Sequence, residues 1–130
     1  MEIGQRYEVS AAVTEETTAR HVGSGGLDVL ATPCMTALME NAAYLLLQRE
    51  LPEGKTSVGT QLNVTHVSPS PVGMTVRAVA EVTDLSADGR TVDFEVSAYD
   101  GAGRIGAGSH RRVVVDAARF MAKCSSKLNE

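Results

Sequence analysis

The stretch from Thr32 to about Glu50 constrains the fold more than any other part of the chain. Thr32-Pro33 opens it as a helix start, because a threonine oxygen can accept from the exposed first amides and proline is tolerated at the first helical position. Pro52 and Gly54 close it. On a wheel of about 100° per residue, Met35, Leu38, Met39, Ala42 and Leu46 share one arc, and Ala43, Leu45 and Leu47 widen it on both sides. A helix apolar over so much of its circumference is expected to be embraced by a sheet, not laid on a surface. It is not expected to cross a membrane: the longest unbroken apolar run, Ala42 to Leu47, has six residues, against the ~20 that a span requires.

After the helix the apolar period drops to two. From Thr56, Val58, Leu62, Val64 and His66 are expected on one strand face, with Gly59, Gln61, Asn63 and Thr65 on the other. Ser68-Pro69-Ser70-Pro71 and Gly73 break that strand. Met74 to Asp84 places Val76, Ala78, Ala80 and Val82 together, and Arg90 to Asp100 does the same for Val92, Phe94, Val96 and Ala98. Ala87-Asp88-Gly89 joins the two as a hairpin. Arg104 to Val115 reads as a last strand in which Gly106 and Gly108 mark a bend or a close backbone approach. A short helix over Ala117 to Lys123 is expected at the end, and a first strand over Gln5 to Val13 at the start. Gly23-Ser24-Gly25-Gly26 falls in the loop before the long helix, as a lid or hinge. Strand, long helix, then four strands predicts one α+β domain over residues 1–130, an antiparallel sheet of about five strands curled round one helix.

Charge and aromatic content narrow the partners. Lys plus Arg number 12 against 16 Asp plus Glu, a formal charge of −4, which argues against a nucleic-acid or polybasic membrane partner. With no Trp, three Tyr and two Phe, a stacking platform for bases has little material. Cys34 and Cys124 have no companions at metal-site or disulfide-framework spacing, so no metal site is expected. The first residues carry no secretory pattern, and the expected compartment is the cytoplasm.

Three polar residues stand in apolar settings. His66 shares a strand face with Val64 and Leu62, Glu40 lies at the margin of the helix stripe beside Thr36 and Ala43, and Thr32 begins the helix. Each has a structural role open to it: a hydrogen-bonded core imidazole, an edge carboxylate reaching water, and a helix cap. Together they can do more. A carboxylate and an imidazole in a partly dry cleft can pass a proton, and a helix amino terminus supplies donors for an oxyanion, which is the equipment for acyl transfer. Cys34 sits where a helix dipole can lower a thiol pKa, though a buried small hydrophobe is its commoner role. His110 reads as structural or solvated, and Arg104, Arg111 and Arg112 as a wet face able to meet phosphates.

The segment Ala31-Thr32-Pro33-Cys34-Met35-Thr36-Ala37-Leu38-Met39-Glu40, with Val58-Gly59-Thr60 and Val64-Thr65-His66 after it, resembles the hot-dog-fold thioesterases related to fluoroacetyl-CoA thioesterase. The likeness continues through Ala98-Tyr99-Asp100-Gly101, Ile105-Gly106-Ala107-Gly108-Ser109-His110 and Phe120-Met121-Ala122-Lys123. It implies a hot-dog fold and hydrolysis of an acyl-CoA thioester without metal or cofactor, CoA being part of the substrate. In that family a threonine eight residues before a glutamate and a histidine on the following strand form the catalytic set, which here are Thr32, Glu40 and His66. Gly59 corresponds to a glycine near the acyl pocket, and Thr36 and Cys34 stand as further substrate-binding candidates. The resemblance also implies a homodimer with CoA sites at or near the subunit interface. One segment departs: where the fluoroacetyl enzyme carries lid phenylalanines, this chain has Gly23, Ser24, Gly25, Gly26 and Leu27. An enoyl-CoA hydratase or dehydratase of the same fold, or a non-catalytic acyl-CoA or acyl-carrier binding module, are the alternative readings.

Overall fold

A computed structural model describes residues 1–129 of the chain. Five strands, β1 (Arg6–Ala12), β2 (Lys55–His66), β3 (Thr75–Leu85), β4 (Thr91–Asp100) and β5 (Gly103–Asp116), form one sheet in the order β1-β3-β4-β5-β2, and every neighbouring pair is antiparallel. The helices are α1 (Ala19–Val22), α2 (Thr32–Gln48) and α3 (Ala117–Ser125). The sheet curls round α2, which touches β1, β2, β3 and β4.

The burial pattern follows the two periodicities. Met35, Met39, Ala42, Ala43, Leu46 and Leu47 of α2 are buried against Val76, Ala78, Ala80 and Val82 of β3 and Val92, Phe94, Val96 and Ala98 of β4. Each large side chain in that interior contributes roughly 1.5–3 kcal/mol by leaving water. Leu38 is only partly buried and packs on the edge of this core. Gly106 lets Met35 sit directly on β5, since a Cβ there would lie 2.7 Å from the Met35 sulfur, and a Cβ at Gly108 would collide with the Asn63 carbonyl. These are the close approaches that the two glycines mark.

Two local features differ from the sequence reading. Thr32 is not the cap of α2: Ala31 holds that position, its carbonyl accepting from the amides of Cys34 and Met35, both at 3.0 Å, and Thr32 is the first helical residue. The helix therefore begins one residue early and the threonine hydroxyl is released for another partner. In β2 the alternation is broken by a β-bulge between Gly59 and Gln61, where Thr60 is the extra residue. The bulge inverts the faces before it. Gly59, paired with Arg112, thus shares the helix-facing side with Leu62, Val64 and His66, while Val58 turns to the other side.

The glycine-rich loop is also more ordered than a bare loop. A 3-10 turn at Glu15–Thr17 leads into α1, Gly23 ends α1 with a positive φ of 83°, and Gly25 lies against the Ala19 side chain. Backbone bonds from Ala19 to Val29 and from Arg20 to Leu27 close it on itself.

Candidate active site

Thr32, Thr36, Glu40 and Tyr44 recur at intervals of four along one side of α2, the spacing that stacks side chains on successive turns. Thr32 and His66 meet at the start of that row: the hydroxyl Oγ1 and the imidazole Nδ1 are 2.8 Å apart. The other ring nitrogen, Nε2, is buried and has no hydrogen-bond partner among the described residues. A buried ring nitrogen left unpaired costs about 1–3 kcal/mol, so it marks a place where polar chemistry is expected. The pair opens on a pocket of about 280 Å³ that Ala19, Ser24, Val29, Val67 and Pro69 help to line. A larger cleft, of about 800 Å³ between α3 and the β3–β4 turn, contains none of the candidate residues.

Glu40 lies elsewhere. Eight residues of helix separate it from Thr32, a rise of about 12 Å, and its carboxylate packs on Gly59: a Cβ there would be 3.1 Å from Glu40 Oε2. The bulge thus brings Gly59 to the glutamate, not to the histidine. Thr36 donates its hydroxyl to the Pro33 carbonyl at 3.0 Å. Cys34 is half-buried beside Leu38 in a cavity of about 50 Å³ against β1. Within one chain the structure therefore assembles Thr32 with His66 and Glu40 with Gly59, as two half-sites, and leaves Cys34 facing away from both.

Around Glu40 stands a buried network that the sequence reading left out of the site. His110 is 2 % exposed and Arg112 is 7 % exposed. His110 Nδ1 donates to the Gln61 carbonyl at 2.8 Å, at the bulge itself, and Nε2 accepts from Arg112 Nη1 at 3.1 Å. Arg112 Nε donates to Ser57 Oγ at 2.8 Å and Nη2 to the Ser57 carbonyl at 3.1 Å, and its guanidinium lies 5.6 Å from the Tyr44 ring. Burial holds the His110 pKa below the ordinary histidine value, with the Arg112 charge adding to it against the opposing pull of the Gln61 carbonyl and Glu40. The imidazole is neutral, with its proton on Nδ1. The three arginines do not form one wet face. Arg112 is interior, Arg111 is held by Asp93 through two bonds of 2.7 and 3.0 Å, and Arg104 is exposed. Among the described residues no group of three or more His, Cys, Asp or Glu side chains is placed to hold a metal ion.

Gly59 is extended backbone that a larger residue can adopt, so the constraint there is space. Gly59→Ala should fold normally but push the Glu40 carboxylate aside by a few tenths of an ångström, since its methyl also meets His110 Cε1 at 3.1 Å.

Residues 13–118 match the family described as fluoroacetyl-CoA-specific thioesterase. The fluoroacetyl-CoA thioesterase of Streptantibioticus cattleyicolor is 35% identical over 133 residues, covering 98% of this chain and 94% of that protein. A solved structure of the fluoroacetyl-CoA thioesterase superposes with a TM-score of 0.90 at 34% identity, covering 98% of this chain and 97% of the other. A variant of that enzyme solved with acetyl-CoA gives 0.91 at the same identity, covering 98% of each chain. A thioesterase superfamily member from Thermus thermophilus gives 0.89 at 28% identity, covering 98% of this chain and 93% of that one. The hot-dog fold is shared with a further structure from Thermanaerovibrio acidaminovorans.

Proposed function

Since the chain belongs to the fluoroacetyl-CoA-specific thioesterase family and is a thioester hydrolase, we propose that Thr32, His66 and Glu40 carry out the hydrolysis, with the glutamate supplied by a second copy of the chain. The observation that carries this is the separation of the half-sites: Thr32 holds one nitrogen of His66 and leaves the other buried and unpaired, while Glu40 lies about two turns away along the helix.

β2 is an edge strand of twelve residues, and an edge of that length invites pairing. Pairing it antiparallel with its copy about a twofold axis near Leu62 and Asn63 carries His66 of one protomer toward Gly59, and hence Glu40, of the other. Partly exposed Leu62 is then covered. In that assembly His66 lies between the Thr32 hydroxyl and the second copy's carboxylate. Glu40 takes a proton from the attacking water, His66 orients the carboxylate and relays the proton, and the thiolate of CoA leaves and is protonated. The Thr32 amide, which has no acceptor among the described residues and sits at a helix amino terminus, faces the developing oxyanion. The reaction draws on no metal or further cofactor in this reading, CoA entering as part of the substrate. Free Cys34 and Cys124 are in keeping with the reducing cytoplasm as its setting.

A free-thiol assay over a panel of acyl-CoAs, run beside light scattering at micromolar concentration, tests the proposal. CoA release by a species of twice the chain mass supports it; an active monomer would overturn the shared site.

The pocket beside Thr32 and His66 sets the expected acyl preference. Its walls include Ala19, Ser24, Val29 and Val67, with no aromatic side chain to fill space beside a small acyl group. Each methylene buried there is worth about 0.8 kcal/mol, so chain length is rewarded more than a single fluorine is. We expect kcat/KM for fluoroacetyl-CoA to exceed that for acetyl-CoA by no more than about tenfold, or ~1.4 kcal/mol, with a longer acyl group preferred to both. Strong selectivity for the fluorinated ester in direct competition would contradict this.

A further inference from the structure

We propose that His110 is a positioning residue whose task is to hold the Arg112 guanidinium off the Glu40 carboxylate. The inference rests on the reading of Glu40 as the group that activates water. Arg112 Nη1 and Glu40 Oε2 approach the same point beside Gly59, at 3.5 and 3.1 Å, yet no nitrogen of Arg112 comes within 4.0 Å of a Glu40 oxygen. A buried guanidinium so close to a carboxylate would ordinarily close on it as an ion pair. Here three of its donors are taken elsewhere, by Ser57 Oγ, by the Ser57 carbonyl and by His110 Nε2.

The His110 contact is the one whose geometry is set from outside the arginine. A backbone carbonyl can only accept, so the bond to Gln61 fixes the ring proton on Nδ1 and leaves Nε2 as an acceptor aimed at Nη1. Stacking on Phe94, with ring centroids 6.2 Å apart, keeps the ring plane in place. The Gln61 carbonyl belongs to the bulge that turns Gly59 toward Glu40, so one imidazole ties down both the bulge and the arginine. The charged and titratable groups facing Glu40 are thus Arg112 and His110 from β5, and in the proposed dimer the second copy's His66, while Tyr44, one turn further along α2, bears on Arg112. Arg112 in its held position leaves the carboxylate oxygens open. Paired directly, it would occupy the oxygens that must accept a proton.

His110→Leu tests this, because leucine nearly preserves volume while removing the acceptor for Arg112. We expect kcat to fall about tenfold or more with KM within about twofold. His110→Gln, whose amide can donate to Gln61 and accept from Arg112, should recover most of the rate. Should the leucine variant fail to fold, His110→Asn carries the same comparison, since it keeps the donor but cannot reach Arg112 with its acceptor. Loss of rate with KM raised in step and no recovery in the glutamine variant would mean that His110 serves only the fold, and wild-type rates throughout would overturn the inference outright. Glu40→Gln, assayed alongside, separates the two levels: if it is inactive while the His110 variants behave as wild type, only this inference falls, and if it is active the reading of the site falls first.

Discussion

Turnover should drop by at least about 100-fold when His66 is replaced by alanine or Glu40 by glutamine, the usual scale for losing a general acid or base. Both side chains are only partly buried and stand at the margin of the core that Met35, Met39, Leu46 and Phe94 fill. Far-ultraviolet circular dichroism should therefore stay native, and rate should be the only quantity that collapses. Thr32→Ala should slow the reaction as well, by depriving His66 Nδ1 of its 2.8 Å partner. It should do so without a marked loss of stability, because Ala31, not Thr32, occupies the cap of α2. A helix that lost a side-chain cap would be weaker by ~1 kcal/mol; a Thr32→Ala melting temperature that falls accordingly would show that the hydroxyl serves the helix. If all three variants turn over the best substrate near the wild-type rate, the catalytic assignment is wrong.

Mixing two dead variants should restore activity. When Glu40→Gln and His66→Ala chains are co-expressed with different tags, half the dimers that form at random are mixed. In a shared site each mixed dimer has one centre with both lesions and one with neither, so the preparation should reach about a quarter of wild-type activity, from about 1 % or less for either variant alone. Purifying the doubly tagged species should raise this to about half. A site built within one chain gives no such recovery, since every chain in the mixture then carries a lesion of its own. The experiment thereby separates a dimer that merely exists from one in which each protomer completes the other.

Much of this arrangement was readable from the sequence because hydrophobic period is a direct image of burial. The stripe from Met35 to Leu46 and the alternation of Val76 to Val82 and Val92 to Ala98 each point at the core they form. The resemblance supplied Thr32, Glu40 and His66 as a set, and the fold supplied the contact between the first and the last of them. The bulge could not be counted in advance. One inserted residue changes every parity before it, and the only sign of it in the sequence is the glycine beside it, Gly59. His110 and Arg112 were missed for a related reason. Next to Arg111 they look like one solvated run, whereas alternation sends Arg111 out to Asp93 and the other two inward to Gln61 and Ser57. Period-two counting from buried Ile105 alone would not have settled it, because the β4–β5 ladder also slips between Ala98 and Tyr99.

The extra residue in β2 has a genetic meaning as well as a geometric one. At Thr60 a substitution alters an exposed side chain on an edge strand, and even loss of its codon keeps the faces: the ladder would run regularly, Gly59 opposite Arg112 and Gln61 opposite Arg111, with Gly59 still toward α2. Loss of the neighbouring codon is a different event. With Gly59 gone, Val58 would slide into its place and put an isopropyl group against Glu40, where the fold now leaves room for none. Two deletions of three bases, one codon apart, should thus differ widely in their damage, and in a lineage of such chains Gly59 is inherited more strictly than the residue that follows it.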